Sequence, residues 1–312
     1  MTAKSNDFQL CVLKALAMLL VLAWAAAGQS LPLPSGLPAT GEVRFAALGD
    51  TGNGNSGQSG IANRIVAVQQ TARFDLILFL GDNIYENGDP ADFGRKFALP
   101  YRDLIENGTE LRAVVGNHDV RATAKGGVLL QQMMFGMGGR PYYSFTRGDG
   151  LVEFFGLDSN ALTQTNLDQP AQEQLQWLED RLARSRAKWK VLFLHHPLYS
   201  SAKKHGWNSP DTREMEAVRA NLEPVLIKYG VKLVLAGHDH VYERLKQQKG
   251  VNYFVSGAGS QTRVGDLQPN SPYYGFGDDR QTSFMLFSIS AGGITFWSVN
   301  AQGAVIDSGK IN

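Results

Sequence analysis

Residues 76–85 read Leu-Ile-Leu-Phe-Leu-Gly-Asp-Asn-Ile-Tyr. A short apolar run closed by glycine and a polar cluster predicts a strand. Gly81 lets the chain turn sharply, and Asp82 then sets a carboxylate at the strand's end. The same arrangement recurs on both sides. Val43–Leu48 runs into Gly49-Asp50-Thr51-Gly52 and Leu111–Val115 into Gly116-Asn117-His118-Asp119. Val191–Leu194 runs into His195-His196-Pro197, and Leu233–Ala236 into Gly237-His238-Asp239-His240. Leu175, Leu178 and Leu182 mark a helix before the fourth of these runs. Met215, Val218, Leu222, Leu226 and Tyr229 mark another before the fifth, closed by Gly230 and interrupted by Pro224. Val251–Val255, Ser283–Ile289 and Gly293–Val299 follow one another with short turns. The fold class is α/β with some antiparallel pairing, an α+β chain whose single domain covers residues 41–312.

The chain has 312 residues, with 30 Lys+Arg against 29 Asp+Glu, a formal net charge of +1. That balance offers no basic surface for nucleic acid, and no nucleic-acid partner is expected. Lys4 and Lys14 precede a 13-residue apolar run, Ala15 to Ala27, ending in small residues. A bilayer span needs roughly 18, so residues 1–27 read as a signal peptide and no stable membrane insertion follows its cleavage. Residues 28–40 read as a linker, with three prolines between Leu31 and Gly41. The one cysteine, Cys11, leaves with the leader, so the mature chain has no disulfide framework.

In open α/β sheets, ligands gather beyond the carboxyl ends of strands. Five strand ends here carry carboxylate, phenol, amide or imidazole, and five of the six histidines lie in those clusters. Singly, each cluster reads as a turn or a core histidine. Together they predict a metal site.

The five clusters resemble, in order, the motifs of the calcineurin-like metallophosphoesterases and, within them, the purple acid phosphatases. They are GDxG at Asp50, GDxxY at Asp82 and Tyr85, GNH[ED] at Asn117 and His118, VxxH at His195 with Leu192 in the Val position, and GHxH at His238 and His240. Relatives outside the purple group carry Asp-x-His in the first motif. Here that position is Gly52, and Tyr85 takes the place of the missing imidazole. The linker leaves no room for an extra N-terminal β-domain, so the match is to the small, single-domain, tartrate-resistant type. The resemblance implies a four-layer α/β/β/α sandwich of two mixed sheets flanked by helices.

It also implies a binuclear centre. Fe(III) would take Asp50, Tyr85 and His240; a divalent Fe, Zn or Mn would take Asn117, His195 and His238; and Asp82 would bridge them. The donor chemistry agrees, because two carboxylates and a phenolate suit a trivalent ion, and two imidazoles with an amide suit a divalent one. Free Tyr has a pKa of about 10, so only a strongly charged cation would hold Tyr85 as phenolate in acid. By the same correspondence, hydroxide formed on the metals attacks a phosphate monoester in line, while His118 and His205 contact phosphate and protonate the leaving group. His196 is expected to play a supporting or structural part, and Asp119 to orient His118. The glycine-rich stretch from Gly49 to Gly60 lacks the ending of a P-loop and reads as a flexible rim loop. Gly126 to Gly139 reads as a packing element. The expected substrates are phosphorylated small molecules or phosphoproteins, acted on by a secreted or periplasmic monomer. Two other readings are a phosphodiesterase or nucleotide pyrophosphatase on the same metal core, and a non-catalytic metal- or phosphate-binding relative.

Overall fold

A computed structural model describes residues 30–121, 128, 131 and 134–312 of the chain. The expected signal peptide, and Met133 with much of the Gly126–Gly139 stretch, lie outside the described residues. The elements below all belong to one unit, residues 33–312.

The five apolar runs that end in polar clusters are strands, with edges that move by a residue or two. They are β1 (Val43–Leu48), β2 (Leu76–Leu80), β3 (Glu110–Val114), β6 (Trp189–Phe193) and β7 (Leu233–Ala236). Between β3 and β6 come β4 (Tyr143–Arg147) and β5 (Val152–Gly156), absent from the sequence reading. After β7 come β8 (Tyr242–Leu245), β9 (Asn252–Ser256), β10 (Tyr274–Asp278), β11 (Ser283–Ser290), β12 (Gly293–Asn300) and β13 (Val305–Ile311). The principal helices are α1 (Ser56–Ala72), α2 (Gln169–Arg184) and α3 (Thr212–Lys228). Among the described residues the strands form two mixed sheets, ordered β13-β12-β11-β1-β2-β3 and β10-β8-β9-β7-β6-β5-β4. β1, β2 and β3 are parallel in the first, and β5, β6, β7 and β9 in the second; the rest pair antiparallel.

The two sheets face each other through aromatic side chains. Phe45 on β1 meets Phe154 on β5 edge-on at 5.0 Å and stacks on Phe287 of β11 at 5.0 Å. Phe254 on β9 meets Phe296 on β12 at 4.8 Å. On the outer side of the second sheet, Leu178 and Leu182 of α2 and Val218, Leu222 and Leu226 of α3 pack in one core with Leu192, Val234 and Val255. Helix α1 buries Ile61, Ile65 and Val68 and packs against β11. The result is the four-layer α/β/β/α sandwich. Helix α3 runs unbroken across Pro224, whose lost N–H costs one bond to the carbonyl of Ala220 but does not end the helix. Among the described residues, no helix is long and apolar enough to cross a membrane.

The rim-loop reading of Gly49–Gly60 is corrected, because α1 begins inside that stretch. Asn55 caps it, its side chain accepting from the N–H of Gln58. Gly57 allows the helix to press on the loop after β9: a Cβ there would stand 2.2 Å from the carbonyl oxygen of Ser260. Ser260 in turn donates to the carbonyl of Asp50 and accepts from the Asn53 side chain at 2.6 Å. Gly57→Ala is therefore expected to cost about 1–3 kcal/mol by overpacking. A thermal melt reads that cost, and an unchanged melting temperature would show that the contact relaxes freely.

Candidate metal centre

Parallel strands deliver their carboxyl ends to one edge of the molecule, and the five clusters meet there. Asp50, Asp82 and His238 each take a left-handed backbone (φ of 58°, 52° and 73°), a conformation unfavourable for side-chain-bearing residues and kept here by the contacts around it. Gly116 permits a close approach, since a Cβ on it would lie 2.2 Å from Asp82 Oδ1.

The side chains form two adjoining groups. In the first, the Tyr85 hydroxyl donates to Asp50 Oδ1 at 3.0 Å and lies 3.1 Å from His240 Nε2, itself 3.4 Å from Asp50 Oδ1. In the second, His195 Nε2 is 3.0 Å from Asn117 Oδ1 and 3.2 Å from His238 Nδ1. Asp82 lies between them, with Oδ1 3.5 Å from His195 Nε2; donor atoms of Asp50, Asp82 and His195 all fall within 4.8 Å of one another. His238 and His240, two residues apart, do not share a strand face. β7 ends at Ala236, and the turn at His238 sends one imidazole to each group.

The surrounding residues hold these loops together. Asp50 Oδ2 accepts the backbone N–H of His238 at 2.8 Å, and Asp82 Oδ1 that of His118 at 2.9 Å. Asp119 does not orient His118. Its buried carboxylate turns inward to accept the N–H groups of Gly116, Asn83 and Ile84 and the side chain of Asn83. His118 stands over Tyr85, ring centroids 4.6 Å apart, with Nδ1 2.6 Å from the carbonyl of Glu86. A carbonyl only accepts, so that nitrogen carries the proton. Arg121, 3.1 Å from the same nitrogen, then finds no acceptor there. His196 is buried beside the second group, its Nδ1 2.9 Å from Ser159 Oγ and its ring 4.5 Å from that of His238. His205 lies 4.2 Å from the His238 ring. Its partner is Asp239, which sequence reasoning passed over despite a carboxylate lying between two motif histidines.

Charge in the centre follows from burial and close neighbours. Burial, then Asp50 and Asp82, push the Tyr85 phenol well above its ordinary range. Burial and the imidazoles of His196 and His195 hold His238 well below the usual histidine value. Burial opposes charge on His195, but Asp82 and Asp50 outweigh it and raise its pKa. Burial likewise opposes the Asp50 carboxylate, yet His240, His195 and the His238 N–H keep it low. The pocket thus attracts positive charge.

A family model described as calcineurin-like phosphoesterase matches residues 43–242, which contain all five clusters. The chain belongs to the calcineurin-like phosphoesterases. Within that family it is a purple-acid-phosphatase-like metallophosphoesterase. Mouse tartrate-resistant acid phosphatase type 5 is 30% identical over 259 residues, 73% of this chain and 76% of that protein. Purple acid phosphatase 17 of Arabidopsis thaliana is 27% identical over 252 residues, 73% and 72% of the two chains. The fold matches yellow lupin (Lupinus luteus) purple acid phosphatase PPD1 with a TM-score of 0.70 at 21% identity, over 89% of this chain and 55% of that one. It also matches GAP50, described as the anchor in the inner membrane complex of Plasmodium, with a TM-score of 0.72 at 21% identity, over 87% and 89%.

Membership implies a binuclear metal centre, and the donor set fits one. His195 Nδ1 lies 2.9 Å from the Leu80 carbonyl and must donate to it, which leaves Nε2 bare in the neutral ring. That nitrogen and Asn117 Oδ1 then point lone pairs into one small space, with His238 Nδ1 3.2 Å from the first and Asp82 adding negative charge beside it. Such a space takes a proton on His195 or a cation. The Asp50, Tyr85 and His240 group is the same arrangement with harder, oxygen-rich donors.

Proposed function

We propose that this chain is a secreted or periplasmic acid phosphatase that hydrolyses phosphate monoesters at a binuclear centre. The observation that carries the reading is the division of seven donors into an Asp50, Tyr85, His240 group and an Asn117, His195, His238 group with Asp82 between. The phenol and two carboxylates favour Fe(III) in the first group; the imidazoles and amide favour divalent Fe, Zn or Mn in the second. Held by those residues, two cations would supply Lewis acidity for phosphate oxygens and for a water nucleophile.

The protein's own groups do the rest. Asp50 accepts from the His238 backbone, so one carboxylate ties its own motif loop to that of His238. Asp82 does the same for the His118 loop. His118, with Nδ1 committed to the Glu86 carbonyl, presents Nε2 4.0 Å from Asp82 Oδ2, at the edge where a phosphate oxygen would sit. His205 stands on the other side, against His238. As the P–O bond to the alcohol breaks, one of these rings, carrying a proton on each nitrogen, gives the Nε2 proton to the departing oxygen, falls back to the neutral Nδ1–H form and is recharged from water. Substrates are phosphorylated small molecules or phosphoproteins, and the enzyme acts as a monomer.

Metal analysis of purified protein, joined to pH–rate profiles on a monoester and a diester, tests the reading. About two metals per chain, iron among them, and faster monoester turnover at acidic pH are expected. A preference for the diester would give the chain to the phosphodiesterase reading, and two metals without turnover on either ester to a binding role. Visible absorption from a tyrosinate–iron bond is expected as well, and Tyr85→Phe should abolish it. Colour that survives Tyr85→Phe removes Tyr85 from the ligand set.

A further inference from the structure

We propose that Asp239, the central carboxylate of Gly237-His238-Asp239-His240, is the positioning residue for His205 and selects which ring nitrogen faces the substrate. The proposal rests on the reading of His205 given above and goes past it to the residue through which the ring is held. Asp239 is fully buried, and each of its oxygens has a defined partner. Oδ1 lies 2.9 Å from His205 Nδ1, and Oδ2 accepts from Ser200 Oγ at 2.6 Å. A carboxylate beside Nδ1 places the proton on that nitrogen. Nε2, across the ring, is then the nitrogen that meets the substrate: it takes up the second proton of the imidazolium and is the one that gives it to the leaving oxygen, the ring ending as the neutral Nδ1–H form.

The remaining freedom of the ring is removed by its surroundings. One face of His205 lies against the His238 ring, centroids 4.2 Å apart and planes 32° from parallel. Its loop is tied from below: Ser201 N–H donates to Glu243 at 2.9 Å and Lys204 N–H to Asp266 at 3.1 Å. Trp207 N–H closes the loop onto the Ser200 carbonyl at 2.9 Å. Without Asp239, nothing on this loop prevents the ring from turning over and exchanging its nitrogens for carbons at the substrate edge. Three consecutive residues therefore place three imidazoles. His238 and His240 place their own, and Asp239 places that of His205.

The test compares Asp239→Ala and Asp239→Asn in the wild-type and His205→Ala backgrounds, on an alkyl phosphate and on 4-nitrophenyl phosphate, with metal content measured throughout. The alkyl ester needs a proton on its leaving oxygen and the nitrophenyl ester scarcely does. Asp239→Ala should lower kcat on the alkyl ester about 10–100-fold, with KM and metal content little changed and the nitrophenyl ester nearly spared. Asp239→Asn, which keeps an acceptor oxygen, should restore part of the loss. In the His205→Ala background neither substitution should lower kcat further, because the two residues act as one unit. Equal losses on both esters, or losses that add to that of His205→Ala, would overturn the proposal.

A second readout does not depend on turnover. Long-range proton–nitrogen spectra of zinc-loaded protein should show His205 as the Nδ1–H tautomer and show the Nε2–H form appearing in the Asp239 variants. An unchanged tautomer overturns the proposal; where Asp239→Ala does not fold, Asp239→Asn carries both measurements. If His205→Ala itself treats the two esters alike, it is the reading of His205 as proton donor that fails. The tautomer then still decides the role of Asp239.

Discussion

Asp82→Asn is expected to leave a folded protein that has lost its cations and its activity, the latter by about 1000-fold or more. Asp82 is 2% exposed and lies between the two halves of the centre. Its Oδ1 is 3.5 Å from His195 Nε2, and donor atoms of Asp50, Asp82 and His195 lie within 4.8 Å of one another. An amide keeps the size and one acceptor oxygen, enough to retain the hydrogen bond from His118 N–H, but it removes the charge that draws cations in. The sign of the stability change is the more telling result. In protein stripped by a chelator, burial first and the Asp82 charge second oppose ionisation of the neighbouring Asp119. Removing it relieves that repulsion, so chelated Asp82→Asn should melt higher than chelated wild type. The centre keeps a destabilising charge because binding requires it. Metal analysis and melts with and without chelator read both effects. Retention of both metals with near-normal turnover would show that Asp82 bridges nothing.

The sequence reading succeeded where a signal is local and failed where it depends on packing. β1, β2 and β7 were legible to the residue because each is a short run, apolar but for Arg44 and buried throughout, that stops at a glycine. β10 and β13 were not, because Tyr274–Asp278 and Val305–Ile311 are only half buried and interleave Gly, Asp, Ser and Lys. Helix α1 was hidden by glycines. Gly57 answers to the approach of Ser260, a contact 203 positions away in the chain that leaves no local trace. All seven donor residues were legible as types at strand ends, and the structure brings them together. Their supports were not. Asp119 follows His118 in the chain and Asp239 follows His238, but successive side chains leave a turn in different directions, so neighbours in sequence point at different partners.

Asp119→Ala is expected to cost about 3–5 kcal/mol of stability and to take metal binding down with it, for reasons unrelated to His118. The carboxylate is fully buried and gathers backbone donors from two motifs. Oδ1 accepts Asn83 N–H and Ile84 N–H, both at 3.0 Å, and Oδ2 accepts Gly116 N–H at 2.8 Å and the Asn83 side chain at 3.2 Å. The first two amides follow Asp82 and precede Tyr85; the third precedes Asn117. One side chain thus sets the loop of the bridging carboxylate and phenol against the loop of the amide and His118. Alanine leaves three backbone N–H groups without an acceptor in a space closed to water, each a loss of about 1–3 kcal/mol and together less than additive because the loops relax. Relaxation moves Asp82 and Asn117 apart, so affinity for the second cation falls along with stability. Asp119→Asn keeps an acceptor for one loop but turns an amide N–H toward the other, and should fall between the two. Denaturant unfolding of the chelated proteins measures the stability term, and titration with zinc measures the affinity. An Asp119→Ala protein that unfolds at the wild-type denaturant concentration would mean that water or another acceptor reaches those amides and that the two loops are held by something else.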